Sequence, residues 1–224
     1  MTQKTILCYG DSNTWGYVPL RDHAQLKSRY SREQRWTGIL QDLLGSEYYI
    51  VEEGLNSRTT NLDYAVPPDR NGKTYLPSCL YSHAPIDLVV LGLGGNDMKT
   101  YFNRNPLDIK NGLAELVDII QKSPYGSDMR QAPKILIMTQ AIPYPFVEEY
   151  TDENGIRFLE GIVAKARELI PLYASLAEEK QCHFIDVSQD VSPSKIDGVH
   201  YDLNAHRILA ELLNTKIRAI FQAP

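Results

Sequence analysis

A chain of 224 residues, 43% hydrophobic and 23% charged, is long enough for one large domain with a sizeable core and too apolar to be disordered. Its 23 lysines and arginines against 28 aspartates and glutamates give a formal charge of −5, which leaves no broad basic face for nucleic acid. No apolar run reaches the roughly 18 residues a membrane span needs, and the three scattered cysteines, Cys8, Cys79 and Cys182, form neither a disulfide framework nor a Cys-x-x-Cys metal site.

The first element is a short apolar strand at about 5–9, with Cys8 as a small buried hydrophobe. The chain enters it with Lys4 as the only basic residue and no apolar leader, so a cytoplasmic protein is expected. An irregular charged segment, Tyr17 to Arg35, follows, with Arg21-Asp22-His23 and Lys27-Ser28-Arg29 read as solvated surface. The spacing of Trp36, Ile39, Leu40, Leu43 and Leu44 predicts a helix from about Arg35 to Leu44, stopped by Gly45. A second strand, Tyr48 to Glu52, leads into a turn-rich loop from Gly54 to Thr74, and a loop of that length is usually functional or disordered.

A short helix near Tyr75–His83 precedes a third strand, Leu88 to Leu91, which ends in Gly92-Leu93-Gly94-Gly95-Asn96-Asp97. Asn105-Pro106 opens a helix that runs to Lys122. The fourth strand, Ile135 to Met138, opens into the apolar Ala141–Phe146 loop, a candidate pocket wall. A helix at about Phe158–Lys180 contains Pro171 as a kink or break, a fifth strand spans His183–Val187, and a last helix spans about Leu203–Phe221. This alternation predicts a single three-layer α/β/α domain, residues 1–224, on a five-stranded parallel, flavodoxin-like sheet.

In such a sheet, ligands sit outside the carboxyl ends of the strands. Four loops bring the parts of acyl transfer to that side. Ser12, just after the first strand, is the candidate nucleophile, and a serine hydroxyl needs a base to take its proton. Asp197 and His200, three residues apart with Gly198 easing the turn, offer the base and the group that orients it. The candidate oxyanion donors are the backbone N–H groups of Ser12 and Ser57 and the side-chain amide of Asn96. Trp15 and Phe146 are placed near the pocket as substrate contacts.

Other readings compete. Ser12-Asn13-Thr14 after a first strand also suits a phosphate loop of an FMN-binding, flavodoxin-like module. That leaves Asn96, Asp197 and His200 unexplained. Gly92-Leu93-Gly94-Gly95 follows the wrong strand for a dinucleotide fingerprint and lacks its third glycine. A catalytically dead scaffold would not need a full acid-base-nucleophile set. His23, His83, His183 and His206 have no metal-ligand spacing with one another and read as surface or packing residues.

Gly10-Asp11-Ser12, Gly94-Gly95-Asn96-Asp97 and Asp197-Gly198-Val199-His200, in that order and with the Gly54–Thr60 segment between the first two, resemble the four sequence blocks of the SGNH hydrolase (GDSL esterase/lipase) family. Ile6–Gly16, Arg35–Gly38, Glu52–Leu55, Arg58–Asn61 and Tyr75–Leu80 are similar to its bacterial arylesterase/acyltransferase branch, and the likeness covers nearly the whole chain. Two positions depart from the pattern. Asn13 stands where the family name implies Leu, and Ser57 where the second block usually has Gly.

The resemblance implies a serine esterase acting on short-acyl esters such as aryl or alkyl acetates, with no cofactor and no metal. Alcohols or hydrogen peroxide would compete with water for the acyl-enzyme. Deacetylation of carbohydrates and thioesterase or lysophospholipase activity use the same triad and stay open. The implied partner is a small-molecule ester, not nucleic acid or membrane. A homo-oligomer, an octamer included, is also implied, with the loops Tyr17–Arg35 and Asn56–Thr74 as candidate contacts.

Overall fold

The computed structural model describes residues 3–21 and 26–222. Strands β1 (Lys4–Gly10), β2 (Tyr48–Gly54), β3 (Leu88–Gly92), β4 (Lys134–Met138) and β5 (His183–Ile185) form one parallel sheet in the order β2-β1-β3-β4-β5. Helices are α1 (Ser12–Trp15), α2 (Trp36–Leu44), α3 (Gly72–His83), α4 (Pro106–Gln121), α5 (Ile162–Glu179) and α6 (Leu203–Gln222). The three-layer, flavodoxin-like order expected from the sequence is the one found.

The strands read as unbroken apolar runs because both faces are covered. Leu7, Tyr9, Val89, Leu91, Ile135 and Ile137 pack under α3, α4 and α5, while Ile6, Cys8, Leu88, Val90, Leu136 and Met138 pack under α2 and α6. Each aliphatic side chain buried this way contributes about 1.5–3 kcal/mol, and two such layers hold the sheet rigid beneath its loops. The strand order reverses beside β1, with β2 added on one side and β3 on the other, so a crevice opens at their carboxyl ends. Gly10 is level with both Gly54 and Gly92, so the three loops leave the sheet at one height.

Several boundaries differ from the sequence reading. Leu43 is 40% exposed and does not share the buried face of α2. The third helix starts at Gly72, earlier than expected, because the Asn71 side chain accepts the Thr74 N–H and caps it. The fifth starts at Ile162, after Gly161 in the left-handed region, so Phe158 and Leu159 are released from it. Pro171 lies inside α5 and does not end it. The fifth strand stops at Ile185, and the Val187 N–H donates instead to Thr139 Oγ1 at 2.9 Å.

Arg21, Lys27, Ser28 and Arg29 are exposed as expected, whereas Asp22 and His23 lie outside the described residues. Among the described residues, no helix is long and apolar enough to cross a membrane.

Candidate active site

The end of β1 turns at Asp11 into the one-turn helix α1, whose first residue is Ser12. Asp11 caps it by accepting the Asn13 N–H at 3.0 Å, and its other oxygen accepts from the Gln140 amide at 2.7 Å. Burial raises the Asp11 pKa, and these two hydrogen bonds and the charge of His200 oppose the rise. With both oxygens held, Asp11 fixes the turn that carries Ser12.

The loop before α6 carries His200, the candidate base. Gly198 takes φ +73°, a left-handed conformation that suits the tight turn expected there. The Gly198 N–H donates to Ser194 O at 2.8 Å, and the Ser194 N–H donates to His200 O at 2.7 Å. Asp197 Oδ1 accepts the backbone N–H of Val199 and of His200, leaving Oδ2 to face His200 Nδ1 at 2.7 Å. Burial pulls the Asp197 carboxyl up, but the hydrogen bonds and charge of His200 outweigh it, and its pKa is lowered. On the other side of the ring, His200 Nε2 lies 3.1 Å from Ser12 Oγ. Hydrogen, donated from Nδ1 to the carboxylate, leaves Nε2 free to accept from a hydroxyl.

Ser57 and Asn96 line the same cavity as Ser12 and His200. The Arg58 N–H donates to Leu55 O at 3.1 Å, closing a turn over Leu55-Asn56-Ser57-Arg58 in which Ser57 has φ +66°. That is the third position of a type II turn, where glycine is the least strained residue, and it explains why a glycine is usual there. Asn96 donates one amide hydrogen to Arg58 O at 3.1 Å and is half-buried at the cavity. Behind it, Gly94 has φ +113°, and a Cβ there would lie 2.1 Å from the Tyr173 hydroxyl.

Arg58 ties these parts together. Its guanidinium donates to Gly10 O at 3.0 Å and to Glu53 O, and it stacks 4.1 Å from the Tyr9 ring centroid. Asp97 is fully buried and accepts from the Thr60 N–H and hydroxyl, with Arg104 at 3.3 Å. These contacts pin the second and third loops to each other.

Trp15 and Phe146 do not line the cavity, against expectation. Trp15 turns toward Tyr17 and lies under the Arg29 guanidinium, 5.1 Å from its ring. Phe146 is 42% exposed and stacks on Tyr144. The apolar walls come from Tyr17, Leu20, Met98, Tyr150, Phe158 and Ile162. Tyr17 stacks on the His200 ring at 4.3 Å between centroids. The late start of α5 is what puts Phe158 there, and no sequence period signals it.

Asn13 is the residue whose part sequence reasoning missed. Its Oδ1 accepts the Tyr201 N–H at 3.0 Å, and its amide reaches Val199 O at 3.5 Å, so it grips the residues on both sides of His200. A polar residue in place of Leu, next to the candidate nucleophile, was the signal.

Of the other histidines, His206 is fully buried and His183 half-buried. His83 Nε2 lies 2.8 Å from Glu53 Oε1, and Cys79 joins them in a group whose ligand atoms lie within 4.8 Å of one another. Arg58 already faces Glu53 at 3.9 Å, and burial together with Glu53 pushes the Cys79 thiol well up. Glu53 thus faces His83 on one side and the Arg58 guanidinium on the other.

The described pattern of the GDSL-like lipase/acylhydrolase family matches residues 8–208. Among solved structures, the M. smegmatis aryl esterase is 38% identical, with 96% of this chain and 99% of that one covered at a TM-score of 0.85. A carbohydrate acetylesterase from Sinorhizobium meliloti is 36% identical, with 97% and 100% covered at a TM-score of 0.89. A carbohydrate acetylesterase family member from the same organism is 35% identical, with 99% and 100% covered at 0.85. No curated protein matches the chain significantly.

Proposed function

Since the chain belongs to the GDSL-like lipase/acylhydrolase family and is a serine carboxylic ester hydrolase, we propose that Ser12, His200 and Asp197 are its catalytic triad and that its substrates are short-acyl esters. The observation that carries the reading is the single imidazole of His200, 3.1 Å from Ser12 Oγ and 2.7 Å from Asp197 Oδ2.

In this mechanism Ser12 Oγ attacks the ester carbonyl carbon while His200 Nε2 takes the hydroxyl proton. Asp197 holds the tautomer and stabilises the imidazolium. The carbonyl oxygen becomes an oxyanion held by the N–H groups of Ser12 and Ser57 and the free amide hydrogen of Asn96. As the C–O bond breaks, His200 returns the proton to the leaving alcohol, and an acyl-Ser12 remains. Water, deprotonated by His200, attacks it and releases the acid. An alcohol or hydrogen peroxide in place of water gives acyl transfer by the same route.

Aryl and alkyl acetates are the first substrates to test. The likeness to a carbohydrate acetylesterase supports acetylated sugars as a second class. No comparable observation favours a thioesterase or lysophospholipase. An FMN site at the first loop is set aside because Ser12 there faces His200. The proposal keeps a cytoplasmic location, on the scattered cysteines of the sequence. It also keeps a homo-oligomer, an octamer included: Leu26 and Val66, 93% and 83% exposed, stand on the two loops named as contacts.

A p-nitrophenyl ester series from acetyl upward, run beside Ser12→Ala with fluorophosphonate labelling, tests class and acyl length together. Loss of both turnover and label in Ser12→Ala is expected. A label that persists in that variant overturns the nucleophile.

A further inference from the structure

The cavity beside Ser12 carries a cation that the proposed chemistry does not use. Lys99 follows the Asn96–Met98 turn and lines the same cavity as Ser12, Asn96 and His200, which has a volume of about 250 Å³. An ammonium has three hydrogens to donate. Among the described residues, one goes to the Tyr64 hydroxyl at 3.0 Å, with the Tyr64 ring 5.4 Å away, and Lys99 makes no ion pair.

The carboxylates that line the cavity do not satisfy it. Asp11 gives one oxygen to the Asn13 N–H and the other to Gln140. Asp197 gives one oxygen to two backbone N–H groups and the other to His200. Asp97, two residues before Lys99, is taken by Thr60 and Arg104. These acids act on Lys99 only through space. Burial lowers the Lys99 pKa to about 8, with Asp11 and Asp97 pulling it back up, so the ammonium is charged at neutral pH.

A charged group with unused donors, held in an apolar-walled cavity, carries an unfavourable desolvation that a matching anion relieves. Ser12 and Lys99 line one cavity of about 250 Å³, so a ligand at Ser12 shares it with that side chain. We propose that Lys99 is a specificity-determining residue and that the preferred ester carries an anionic group, in the simplest case a carboxylate, within reach of it. This rests on the ester-hydrolase reading above and adds the substrate's charge to it.

Two matched pairs test the proposal. Acetoxybenzoate (the 4-isomer) against its methyl ester puts the anion on the leaving alcohol. The mono-p-nitrophenyl ester of adipic acid against its methyl diester puts it on the acyl group. Each kcat/KM is divided by the spontaneous hydrolysis rate of the same compound, so that intrinsic reactivity cancels. In at least one pair the anionic member should lead by about 10- to 100-fold, the worth of a charge-assisted hydrogen bond.

Lys99→Met and Lys99→Gln should collapse that ratio, and Lys99→Arg should keep most of it. The pair that responds says which side of the ester faces Lys99. Equal rates within both pairs, or a ratio that survives in Lys99→Met and Lys99→Gln, would overturn the proposal. Ser12→Ala separates the two readings: turnover of the neutral esters that survives it removes the triad, whereas its loss beside equal ratios removes only the role of Lys99.

Discussion

Nε2 of His200 lies 3.1 Å from Oγ of Ser12, across 188 positions of sequence. One residue comes from the first turn after β1 and the other from the loop before α6. Their meeting depends on both loops leaving the same edge of a rigid sheet, and on Asp197 holding the imidazole from behind at 2.7 Å. If that carboxylate sets the tautomer, Asp197→Asn should slow kcat by about 10⁴-fold, the loss expected when the base holds its proton on the wrong nitrogen. Ser12 should still label with a fluorophosphonate, only slowly. Undiminished turnover would remove Asp197 from the mechanism.

Asn96 already gives one amide hydrogen to Arg58 O at 3.1 Å, which fixes the plane of the group and directs the second. Asn96→Ala should therefore lower kcat by about 10²- to 10³-fold with little change in KM, as for one oxyanion donor. A loss confined to KM would mean that Asn96 binds substrate and does not stabilise the transition state.

Ser57, with φ +66°, is tested by its backbone. Ser57→Gly keeps the N–H and suits the turn, so kcat should stay within about twofold of the parent. Ser57→Pro removes the N–H and cannot adopt that φ, so activity should fall far more. Equal activity in the two variants, measured on p-nitrophenyl acetate, would exclude the Ser57 N–H as a donor.

Asn13 holds the backbone on both sides of His200 through its amide. Asn13→Leu restores the residue usual in the family but leaves the Tyr201 N–H without that acceptor. A kcat loss of about 10- to 100-fold with a far smaller change in KM is expected, because sub-ångström misplacement of a base falls mainly on kcat. An unchanged kcat would show that the loop holds its position without Asn13.

His206 gives a pH dependence of stability. Its Nδ1 accepts the Trp36 N–H, the first of α2, at 3.3 Å, and Nε2 is buried with no hydrogen-bond partner among the described residues. Burial lowers its pKa from 6.5 to about 4, with Asp202 opposing and Arg35 adding to the drop. Above pH 6.5 the ring is neutral in both states and costs nothing. Between 6.5 and about 4 the unfolded chain takes a proton that the folded one refuses, so stability is lost as pH falls through that window, by roughly 3 kcal/mol at its lower end. Thermal unfolding from pH 8 to 4, compared with His206→Gln, checks this. Parallel curves for the two proteins would exclude His206 as the source.

Much of this was legible in the chain itself. The five strands were readable because both faces of a parallel sheet must be apolar, and a run such as Ile6-Leu7-Cys8 needs no partner to reveal it. Ser12, Asn96, Asp197 and His200, which line one cavity, could be singled out as candidates because each follows a strand or precedes the last helix. The start of α5 was not, because Gly161 in the left-handed region ends the irregular stretch where apolar spacing alone would continue the helix back to Phe158.

The sequence alone determined the layers, the strand-ending loops and the residue types that chemistry requires, since these depend on local periodicity and spacing. Which side chains share the cavity follows from how the loops pack in three dimensions. That packing left Trp15 and Phe146 out of the lining, brought in Tyr17 and Phe158, closed Asn13 onto the His200 loop, and placed Lys99 in the lining with no ion pair among the described residues. The reason is physical: distances between loops are set by how each loop is hydrogen-bonded to the sheet and to the others, and no period in the chain encodes those contacts.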